Sequence, residues 1–281
     1  MQHIHWYPGH MAKARKAILN DLKLVDIVIE LLDARIPYSS KNLDIDNWTN
    51  KPKIVVLNKT DMADKNVTAL WEKYFSQKSS VILLNSRIGE GFKEVTNTAA
   101  ILMEEKLKRL KERGRLFKPT RAMIVGIPNV GKSTFINSYV KRQITKVENK
   151  PGVTKSNQWI KINKSFELLD TPGMLPPRID NQNIGVNLAL TGAIGYTLDN
   201  YSLSLKLIDI LRNKYPNLLK DRYKLDNINA PNESLIEEIA KNRGFIIKND
   251  NLDINRCVNT LLLEFRTKKI GNITLEEPDS I

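Results

Sequence analysis

One eight-residue pattern, Gly-x-x-x-x-Gly-Lys-Ser, constrains this chain more than any other feature of its sequence. It runs from Gly126 to Ser133, directly after the apolar run 122–125 and before a stretch with helical periodicity. A strand, a glycine-bearing loop and a helix N-terminus in this order form a P-loop, whose backbone N–H groups bind phosphate. Lys132 is expected to neutralise the outer phosphates, and the Ser133 hydroxyl to ligate Mg²⁺. The pattern therefore predicts a nucleoside triphosphate site in an α/β domain.

Two short motifs follow the P-loop and complete a phosphate and metal site. Asp170 begins Asp-Thr-Pro-Gly173 at the end of the apolar run 166–169, where its carboxylate can hold Mg²⁺ through a water molecule. The Gly173 N–H is expected to meet the γ-phosphate. Between the P-loop and Asp170, the motif Pro-Gly-Val-Thr at 151–154 supplies Thr154, which is suited to close over the metal. Each motif is weak alone, but their order and spacing behind a P-loop reinforce one another.

The base of the nucleotide is indicated by Asn58-Lys-Thr-Asp61, which follows the apolar run 53–57 and matches the N-K-x-D pattern of GTPases. Asp61 would accept hydrogen bonds from N1–H and N2–H₂ of guanine. Adenine has neither an N1–H nor a 2-amino group, so it would leave the buried carboxylate unpaired. In the alternative reading, Asn58 and Asp61 are ordinary turn residues. A second base-loop pattern, Asn-Ser-Arg at 85–87, favours the GTPase reading.

The order of these motifs is unusual. In Ras-like GTPases the P-loop comes first, whereas here the base-reading residues 58–61 and 85–87 precede the P-loop at 126–133. A circular permutation accounts for this order, because such rewiring is tolerated where the old termini lie close together on the surface. The break then falls just after Gly173, so the new N-terminal and C-terminal segments both attach beside the γ-phosphate.

Hydrophobic periodicity predicts the fold class and the domains. Short β-branched runs alternate with amphipathic helical stretches up to about residue 176, as in a doubly wound, mostly parallel sheet, and beyond it the spacing is helical only. We therefore predict an N-terminal segment at 1–20, a circularly permuted P-loop domain at 21–178 and an all-α domain at 179–281. Helices are predicted at 8–22, 67–75, 92–111, 188–193, 203–211, 235–240 and 257–265, and strands at 26–32, 53–57, 80–84, 122–125, 158–162 and 166–169.

The positive charge of the chain is concentrated in one segment. The 281 residues carry a formal net charge of +13, and the segment 106–164 holds 16 lysines and arginines against only Glu112 and Glu148. Such a density is typical of a polyphosphate partner, whether nucleotide, RNA or anionic lipid. For the stretch 106–115 taken alone, a solvated helix face is an equal reading. The candidates for RNA contact are Lys106, Lys108, Arg109, Lys111, Arg113, Arg115 and Lys118.

Composition excludes several other classes of protein. A single cysteine, Cys257, rules out an internal disulfide and a cysteine-built zinc or iron–sulfur site. No apolar run approaches the roughly 20 residues of a membrane helix, and the first 16 residues lack the apolar stretch of a signal peptide. We therefore expect a cytoplasmic monomer that contacts no membrane.

With these motifs in place, the chain resembles the ribosome biogenesis GTPase A (YlqF) family of circularly permuted GTPases. The resemblance covers nearly the whole chain, and it also rests on Trp-Tyr-Pro-Gly-His-Met-Ala-Lys at 6–13 and Asp-Ala-Arg-Ile-Pro at 33–37. It implies GTP hydrolysis coupled to late assembly of the large ribosomal subunit, with ribosomal RNA as the main contact. We expect slow turnover in the free protein and faster turnover on the docked particle.

The resemblance also assigns a water-positioning group. Met174 stands where Ras-like enzymes carry a glutamine that orients the attacking water, and a thioether cannot do this. The family points instead to His10 of the Pro-Gly-His motif, in a segment that the permutation brings toward the γ-phosphate. Two other readings are open for His10: packing on Trp6 at a helix start, or one ligand of a metal site with His3 and His5.

Two further positions carry open alternatives. Asn129 stands where related GTPases use an asparagine to help hold K⁺ near the phosphates, but a turn asparagine in a tight loop is an equal reading. Ser86 stands where the usual base-loop motif has alanine, and its backbone N–H would still reach guanine O6.

Together these motifs predict one nucleotide site. The catalytic candidates are His10, Lys132 and Gly173, and the Mg²⁺ ligands are Ser133, Thr154 and Asp170. The GTP-binding candidates are Asn58, Lys59, Asp61, Asn85, Ser86, Arg87, Asn129, Val130, Gly131, Lys132, Ser133, Thr134, Thr154, Asp170 and Gly173.

Three functions compete for this sequence. The first is a GTPase that acts on the precursor of the large ribosomal subunit. The second is a nucleotide-gated RNA chaperone in which hydrolysis is incidental. A membrane GTPase is disfavoured, because the sequence has no basic amphipathic helix with an aromatic apolar face and no lipidation motif.

Overall fold

The computed structural model of this chain describes residues 8–114, 118–144, 159–171, 181–194 and 199–280, with the backbone alone at 8–14, 142–144 and 280. The chain forms two compact units. The first, here called the nucleotide unit, comprises Met1–Ile179 together with Glu276–Ile281, and the second, the helical unit, comprises Asp180–Leu275. The helical unit is therefore an insertion in the chain of the nucleotide unit.

The described part of the nucleotide unit contains one six-stranded sheet, in the order β3-β2-β1-β4-β6-β5. All neighbours are parallel except the edge strand β5, which is antiparallel to β6. This confirms the predicted doubly wound, mostly parallel sheet. The strand order reverses between β1 and β4, and open sheets of this kind bind ligands at the carboxyl ends beside such a reversal. The strands are β1 (Ile27–Asp33), β2 (Lys53–Asn58), β3 (Ser80–Leu84), β4 (Thr120–Val125), β5 (Trp159–Asn163) and β6 (Phe166–Asp170).

Helices connect the strands of the nucleotide unit, and five further α-helices form the described part of the helical unit. Among the described residues, none of the helices has the length and apolar character needed to cross a membrane. The helices of the nucleotide unit are α1 (Pro8–Leu22), α2 (Asp44–Trp48), α3 (Lys65–Ser76), α4 (Phe92–Glu112) and α5 (Lys132–Ile144). Those of the helical unit are α6 (Gln182–Thr191), α7 (Asn200–Lys214), α8 (Pro216–Tyr223), α9 (Asn232–Asn242) and α10 (Ile254–Arg266).

The central strand β1 is buried at all seven of its residues. A strand covered on both faces reads as a continuous apolar run, which is why its sequence shows no alternation. Ile18 of α1 packs into one core cluster with Val28, and Trp71 of α3 packs into a second with Leu32 and Val55. The packing of helices on β1 therefore holds its carboxyl end in place.

Three helices differ from the sequence-based expectation. Pro216 was expected to separate helices, but it begins α8, because proline lacks the N–H that a first helical residue leaves unbonded. Helix α6 begins at Gln182, before the predicted start at residue 188, because Asn181 caps it by accepting a hydrogen bond from Asn183 N–H. Helix α2 has only 5 residues, too few to give a periodic signal.

Candidate nucleotide-binding site

The strand register brings polar residues together at the carboxyl edge of the sheet. Asp33 at the end of β1 pairs with Asn58 at the end of β2, and Asn58 pairs with Leu84 at the end of β3. The P-loop leaves β4 at Gly126, and Asp170 ends the neighbouring strand β6. Because parallel strands place their carboxyl ends at one edge, motifs that are far apart in sequence meet there.

Asn58 joins three of the predicted loops. Its side chain is buried, and Nδ2 donates to the carbonyl oxygen of Val130 in the P-loop at 2.8 Å. Its Oδ1 accepts hydrogen bonds from the Ser86 N–H at 3.1 Å and from the Ser86 hydroxyl at 2.8 Å. One amide side chain thus fixes both base-loop candidates and the P-loop relative to one another. We call this arrangement of Asn58, Ser86 and Val130 the Asn58 junction.

The glycines of the P-loop pattern are required by the same packing. Gly131 has a φ of 103°, in the region that favours glycine. A Cβ at this position would lie 2.5 Å from Asn58 Nδ2. A Cβ at Gly126 would lie 2.6 Å from the carbonyl oxygen of Leu31 in β1. Neither site has room for a side chain, so the close approach of P-loop, β1 and Asn58 depends on both glycines.

A buried charge cluster supports the base-reading loop. Lys59 Nζ donates to Asp33 Oδ2 at 2.8 Å and to the carbonyl oxygen of Asn129 in the P-loop at 2.6 Å. Arg35 also binds Asp33, with Nε at 2.9 Å from Oδ1 and Nη2 at 2.7 Å from Oδ2. The side chains of Asp33 and Arg35 are each 3% exposed. We call Asp33, Arg35 and Lys59 the Asp33 cluster, and it ties the motif at 33–37 to the P-loop.

The ion pairs of the Asp33 cluster determine the protonation state of the Asp33 carboxyl. Burial raises the pKa of the Asp33 carboxyl, but the charges of Arg35 and Lys59 outweigh burial and hold that pKa well below its usual range. Arg35 also interacts electrostatically with Asp61. The Asp33 carboxyl therefore stays ionised at neutral pH, and the charge of Arg35 reaches the carboxylate that is predicted to read guanine.

Lys132 is held over the P-loop. Its Nζ donates to the carbonyl oxygens of Gly126 at 2.8 Å and Ile127 at 2.9 Å. Burial lowers the pKa of Lys132 to about 8, and the charge of Asp170 opposes that shift. Burial in turn raises the pKa of Asp170, and Lys132 opposes that shift. At neutral pH Lys132 is therefore mostly protonated and close enough to Asp170 to interact with it.

The described donors available for Mg²⁺ are few, and they lie at the start of α5 and at the end of β6. Ser133 and Thr134 are exposed in the first turn of α5, and Asp170 is half-buried at the end of β6. In the described ranges, no group of three or more histidines, cysteines, aspartates and glutamates is placed to hold a metal. One carboxylate and one hydroxyl nevertheless fit Mg²⁺, since this ion takes few protein ligands and completes its octahedron with water and substrate phosphates.

The base-reading loop turns sharply at its lysine. Lys59 has a φ of 64° and precedes the 3₁₀ turn Thr60–Met62, which contains the half-buried Asp61. Asn129 in the P-loop also has a positive φ, of 61°. Asparagine tolerates this conformation better than most residues, so the backbone alone accounts for its presence, and the K⁺ role of Asn129 stays a prediction.

The second base loop is held from within and by Asn58. Asn85 Oδ1 accepts a hydrogen bond from the Arg87 N–H at 3.1 Å, and the Arg87 side chain is exposed. The Ser86 N–H, which the sequence directed at guanine O6, donates to Asn58 instead. In this structure Ser86 braces Asn58, and a contact between its N–H and the base stays a prediction.

Some predicted residues lie outside the described residues or lack a described side chain. Thr154, Gly173, Met174 and Arg115 fall outside the described ranges, and His10 is described only as part of the backbone of α1. Their proposed contacts with the γ-phosphate, Mg²⁺, water and RNA stay predictions.

The residues predicted to contact RNA lie near the amino ends of the strands, opposite the carboxyl ends where the candidate nucleotide site lies. Lys106 Nζ pairs with Asp26 at 2.5 Å, and the Asp26 N–H donates to the carbonyl oxygen of Arg121 at the start of β4. The carboxyl-terminal part of α4 therefore lies at the amino ends of the strands. Arg109 pairs with Glu105 on the same helix at 3.3 Å. The remaining described candidates are exposed: Lys108, Lys111, Arg113 and Lys118.

Sequence reasoning missed the roles of three residues at these two edges. Asp33 and Arg35 were noted only as part of a resemblance, although charged residues directly after an apolar strand were a signal that they support a site. Lys51 lies near Lys106, whose charge contributes with burial to a lowered pKa of Lys51. Its ammonium group donates to the carbonyl oxygens of Leu22 and Val25, and its sequence context gave no sign of these contacts.

A P-loop after β4 and a base-reading loop after β2, joined by Asn58, define a P-loop GTPase domain whose motifs are circularly permuted. A family model described as 50S ribosome-binding GTPase matches residues 121–247. Ribosome biogenesis GTPase A of Bacillus cereus is 44% identical over 279 residues, which cover 98% of this chain and 94% of that protein.

Solved structures agree with these sequence matches. A GDP-bound YlqF is 26% identical with a TM-score of 0.68, covering 94% of this chain and 99% of that one. A GNP-bound YlqF from T. maritima is 26% identical with a TM-score of 0.64, covering 96% and 100%. The chain belongs to the ribosome biogenesis GTPase A (YlqF) family, and it is a GTPase involved in assembly of the large ribosomal subunit.

Proposed function

We propose that this chain binds GTP at the carboxyl edge of its sheet and hydrolyses it when docked on a maturing large ribosomal subunit. The observation that carries the proposal is the Asn58 junction, which joins the P-loop to both base loops although these loops are distant in sequence. The GDP-bound and GNP-bound states of the two YlqF structures support a guanine nucleotide as the ligand.

Asp61 reads the base in this proposal. Its carboxylate accepts hydrogen bonds from N1–H and N2–H₂ of guanine, and adenine would leave that acceptor unpaired. Lys59 lies along the base plane, and its ammonium group is fixed by Asp33 and by the Asn129 carbonyl. Because these two partners hold the ammonium group of Lys59 in place, the base pocket is preorganised before the nucleotide arrives.

The P-loop residues bind the phosphates. Backbone N–H groups at the start of α5 point at the β-phosphate, and protonated Lys132 exchanges its carbonyl partners for phosphate oxygens. We assign Mg²⁺ to Ser133, Thr154 and Asp170. When bound, this ion neutralises part of the charge that builds up on the phosphate oxygens during transfer.

His10 orients the attacking water in this proposal. Met174 cannot do so, and the backbone of His10 is part of α1. Free turnover is slow because the catalytic group must still be brought to the γ-phosphate, and docking on the particle supplies that step. The K⁺ role of Asn129 adds a second charge at the phosphates.

The basic end of α4 binds ribosomal RNA in this proposal. The exposed ion pair of Arg109 with Glu105 contributes little free energy, and the Lys106 side chain is 56% exposed although its partner Asp26 is partly buried. Both cations therefore remain available to phosphate groups. Since this surface and the nucleotide site occupy opposite edges of the sheet, GTP and RNA do not compete for the same lysines. Helices of the helical unit share the contact with the ribosomal particle. The proposed compartment is the cytoplasm.

The experiment is GTP turnover measured with purified large subunits, with small subunits and with neither. We expect large subunits to raise turnover at least about tenfold, a modest value among stimulated GTPases. Small subunits are expected to change turnover by less than about twofold. Equal turnover in all three reactions would contradict the proposal. If instead a variant that binds GTP but cannot hydrolyse it supported assembly fully, the RNA-chaperone function would be favoured.

A salt series tests the RNA surface in the same system. Affinity for large subunits is expected to fall with salt, and the slope reports the number of phosphates contacted. The double variant Lys108→Ala, Lys111→Ala should lower that slope by about 1 to 2. The matched control is Lys65→Ala, Lys73→Ala, which removes two exposed lysines from α3. Equal slopes for both double variants would place RNA binding elsewhere.

A further inference from the structure

The end of the chain is fastened to the loop that follows β1. The Glu276 carboxylate accepts hydrogen bonds from the backbone N–H groups of Tyr38 and Ser39 and from the Ser39 hydroxyl. The carbonyl oxygen of Glu276 accepts a further hydrogen bond from Trp71 Nε1 of α3 at 3.0 Å. We call Glu276, with Tyr38, Ser39 and Trp71, the C-terminal clamp. It joins parts of the chain that are more than 200 residues apart.

The clamp is a strong local anchor. The side chain of Glu276 is buried, and Trp71 is fully buried. A buried carboxylate is tolerated only when donors meet its charge, and hydrogen bonds to a charged acceptor are stronger than neutral ones. Two of the three donors to the carboxylate are backbone N–H groups, so the clamp fixes the course of the main chain at 38–39.

The clamped loop also forms the Asp33 cluster. The Asp33 N–H donates to Ser40 Oγ at 3.0 Å, and the Arg35 N–H donates to Asp33 Oδ1 at 3.0 Å. Asp33 in turn holds Lys59, whose Nζ reaches the Asn129 carbonyl of the P-loop. A continuous set of hydrogen bonds and one short loop therefore leads from the end of the chain to the nucleotide site.

Glu276 also follows directly after Leu275, the last residue of the helical unit. The helical unit is joined to the nucleotide unit at two points, after β6 on one side and at Glu276 on the other. The first junction follows the strand that ends in Asp170, and the second is the C-terminal clamp. Each covalent connection of the helical unit thus leads to a part of the nucleotide site.

We infer that Glu276 is a positioning residue for guanine nucleotide binding, acting through the 34–40 loop and the Asp33 cluster. The inference rests on the proposed nucleotide site. Loss of the hydrogen bonds of Glu276 would release the main chain at 38–39 and so change how tightly the nucleotide is held.

The test is the dissociation of a fluorescent GDP from the full-length protein, at a temperature where all variants are folded. Glu276→Ala is expected to raise the dissociation rate and the Kd about tenfold, the equivalent of roughly one charge-assisted hydrogen bond. Glu276→Gln keeps a carbonyl oxygen for both backbone N–H groups and should stay within about threefold of the wild type. Asp279→Ala, in the same segment and exposed, is the matched control and should change nothing.

The outcomes separate the inference from the proposed function. A lower melting temperature for Glu276→Ala with unchanged GDP dissociation would overturn the positioning role, because a merely structural residue behaves in that way. If Glu276→Ala does not fold, Ser39→Ala decides. It removes a single donor and should speed GDP release about threefold, and an unchanged rate would overturn the inference. Failure of the wild type to bind GDP would instead overturn the proposed nucleotide site.

Discussion

Each unit of this protein contains a buried carboxylate paired with two basic side chains. In the nucleotide unit, Asp33 binds Arg35 and Lys59, and the side chains of Asp33 and Arg35 are each 3% exposed. In the helical unit, Glu264 of α10 is 6% exposed and binds Arg222 and Arg243. The two carboxylates carry the same charge and are similarly buried, so the comparison turns on what else each cluster contacts.

The Glu264 cluster joins only helices. Arg222 of α8 donates to Glu264 through Nε at 3.0 Å, and the hydroxyl of Tyr223 donates to the same carboxylate at 3.0 Å. Arg243, just after α9, donates to it at 3.2 Å. Three helices are held together in this way, and the two arginines are about 30% exposed. This cluster stabilises the packing of the helical unit.

The Asp33 cluster reaches beyond its own pairs. Lys59 donates to the carbonyl oxygen of Asn129 in the P-loop, and Arg35 interacts electrostatically with Asp61. Similar ion pairs therefore serve two purposes in one molecule. One stabilises the packing of helices, and the other supports the candidate nucleotide site. Each carboxylate has two ion pairs, so their number does not distinguish the clusters. The contact of Lys59 with the Asn129 carbonyl of the P-loop does.

The largest expected effect is at the glycine that lets the P-loop approach Asn58. Gly131→Ala combines a φ of 103° with a Cβ 2.5 Å from Asn58 Nδ2. We expect a loss of GDP affinity of about 100-fold or more, since a strained backbone costs roughly 1 to 3 kcal/mol and Asn58 must also move. Titration with fluorescent GDP measures the loss.

The matched control is a left-handed glycine of the helical unit. Gly244 has a φ of 63°, and nothing lies within 4 Å of the Cβ that alanine would add. Gly244→Ala should lower the free energy of unfolding by about 1 kcal/mol and leave GDP affinity unchanged. Unchanged GDP affinity in Gly131→Ala would contradict the tight packing of the Asn58 junction.

The next effect separates the two charge clusters directly. Arg35→Met leaves Asp33 with Lys59 alone, and breaking a buried pair costs about 3 to 5 kcal/mol of folding free energy. Because Asp33 is then no longer held by Arg35, it fixes Lys59 less firmly, and GDP affinity should fall about tenfold. Arg243→Met in the helical unit should lower the melting temperature without changing GDP affinity. Denaturation and GDP titration of both variants test this, and equal GDP affinity in the two would remove the distinction between the clusters.

A third effect depends on pH. The pKa of Asp33 is lowered in the folded protein by Arg35 and Lys59 against the effect of burial. A lowered pKa contributes stability that is complete above the unfolded value of about 4 and is lost as the pH falls toward the folded value. Thermal unfolding between pH 6 and about pH 2.5 should show this loss in the wild type. Asp33→Asn should be less stable at neutral pH and should lose less on acidification, and parallel curves for both proteins would contradict the ion pairing.

The smallest effect is at the second base loop. Ser86→Ala removes the hydroxyl that lies 2.8 Å from Asn58 Oδ1 but keeps the N–H at 3.1 Å. The loss of one neutral hydrogen bond costs about 1 kcal/mol, so GDP affinity should fall no more than about fivefold. Ser202→Ala removes a hydroxyl that bonds Asp199 in the helical unit and should leave GDP affinity unchanged. A loss of 100-fold in Ser86→Ala would show that this residue contacts the base directly.

The elements of the sheet were predictable from the sequence because their signals are local. Buried parallel strands are short apolar runs, and the P-loop pattern fixes a strand, a loop and a helix together. Helix α8 was missed because Pro216 has the same appearance as a break and as a first helical residue. The choice between these two depends on the packing of the following turn, including buried Leu219 and Tyr223.

The support of the nucleotide site was not predictable in the same way. The motifs indicated Asn58, Lys59 and Lys132 as binding residues, but not that Asn58 bonds Val130 or that Lys59 bonds Asp33. Such partners are set by strand register and long-range packing, which leave no periodic trace in the sequence. Glu276 is the extreme case, because it bonds residues 237 and 238 positions away.

In the proposed site, a base-reading loop that lies upstream of the P-loop in sequence binds the same GTP molecule as the P-loop. Asp61→Asn tests this claim most directly, in turnover assays with GTP and with xanthosine triphosphate on large ribosomal subunits. An asparagine can donate to the extra oxygen of xanthine and no longer accepts both guanine hydrogens. We expect loss of GTP turnover and recovery of subunit-stimulated turnover with xanthosine triphosphate. Retained preference for GTP in Asp61→Asn would contradict the site described here.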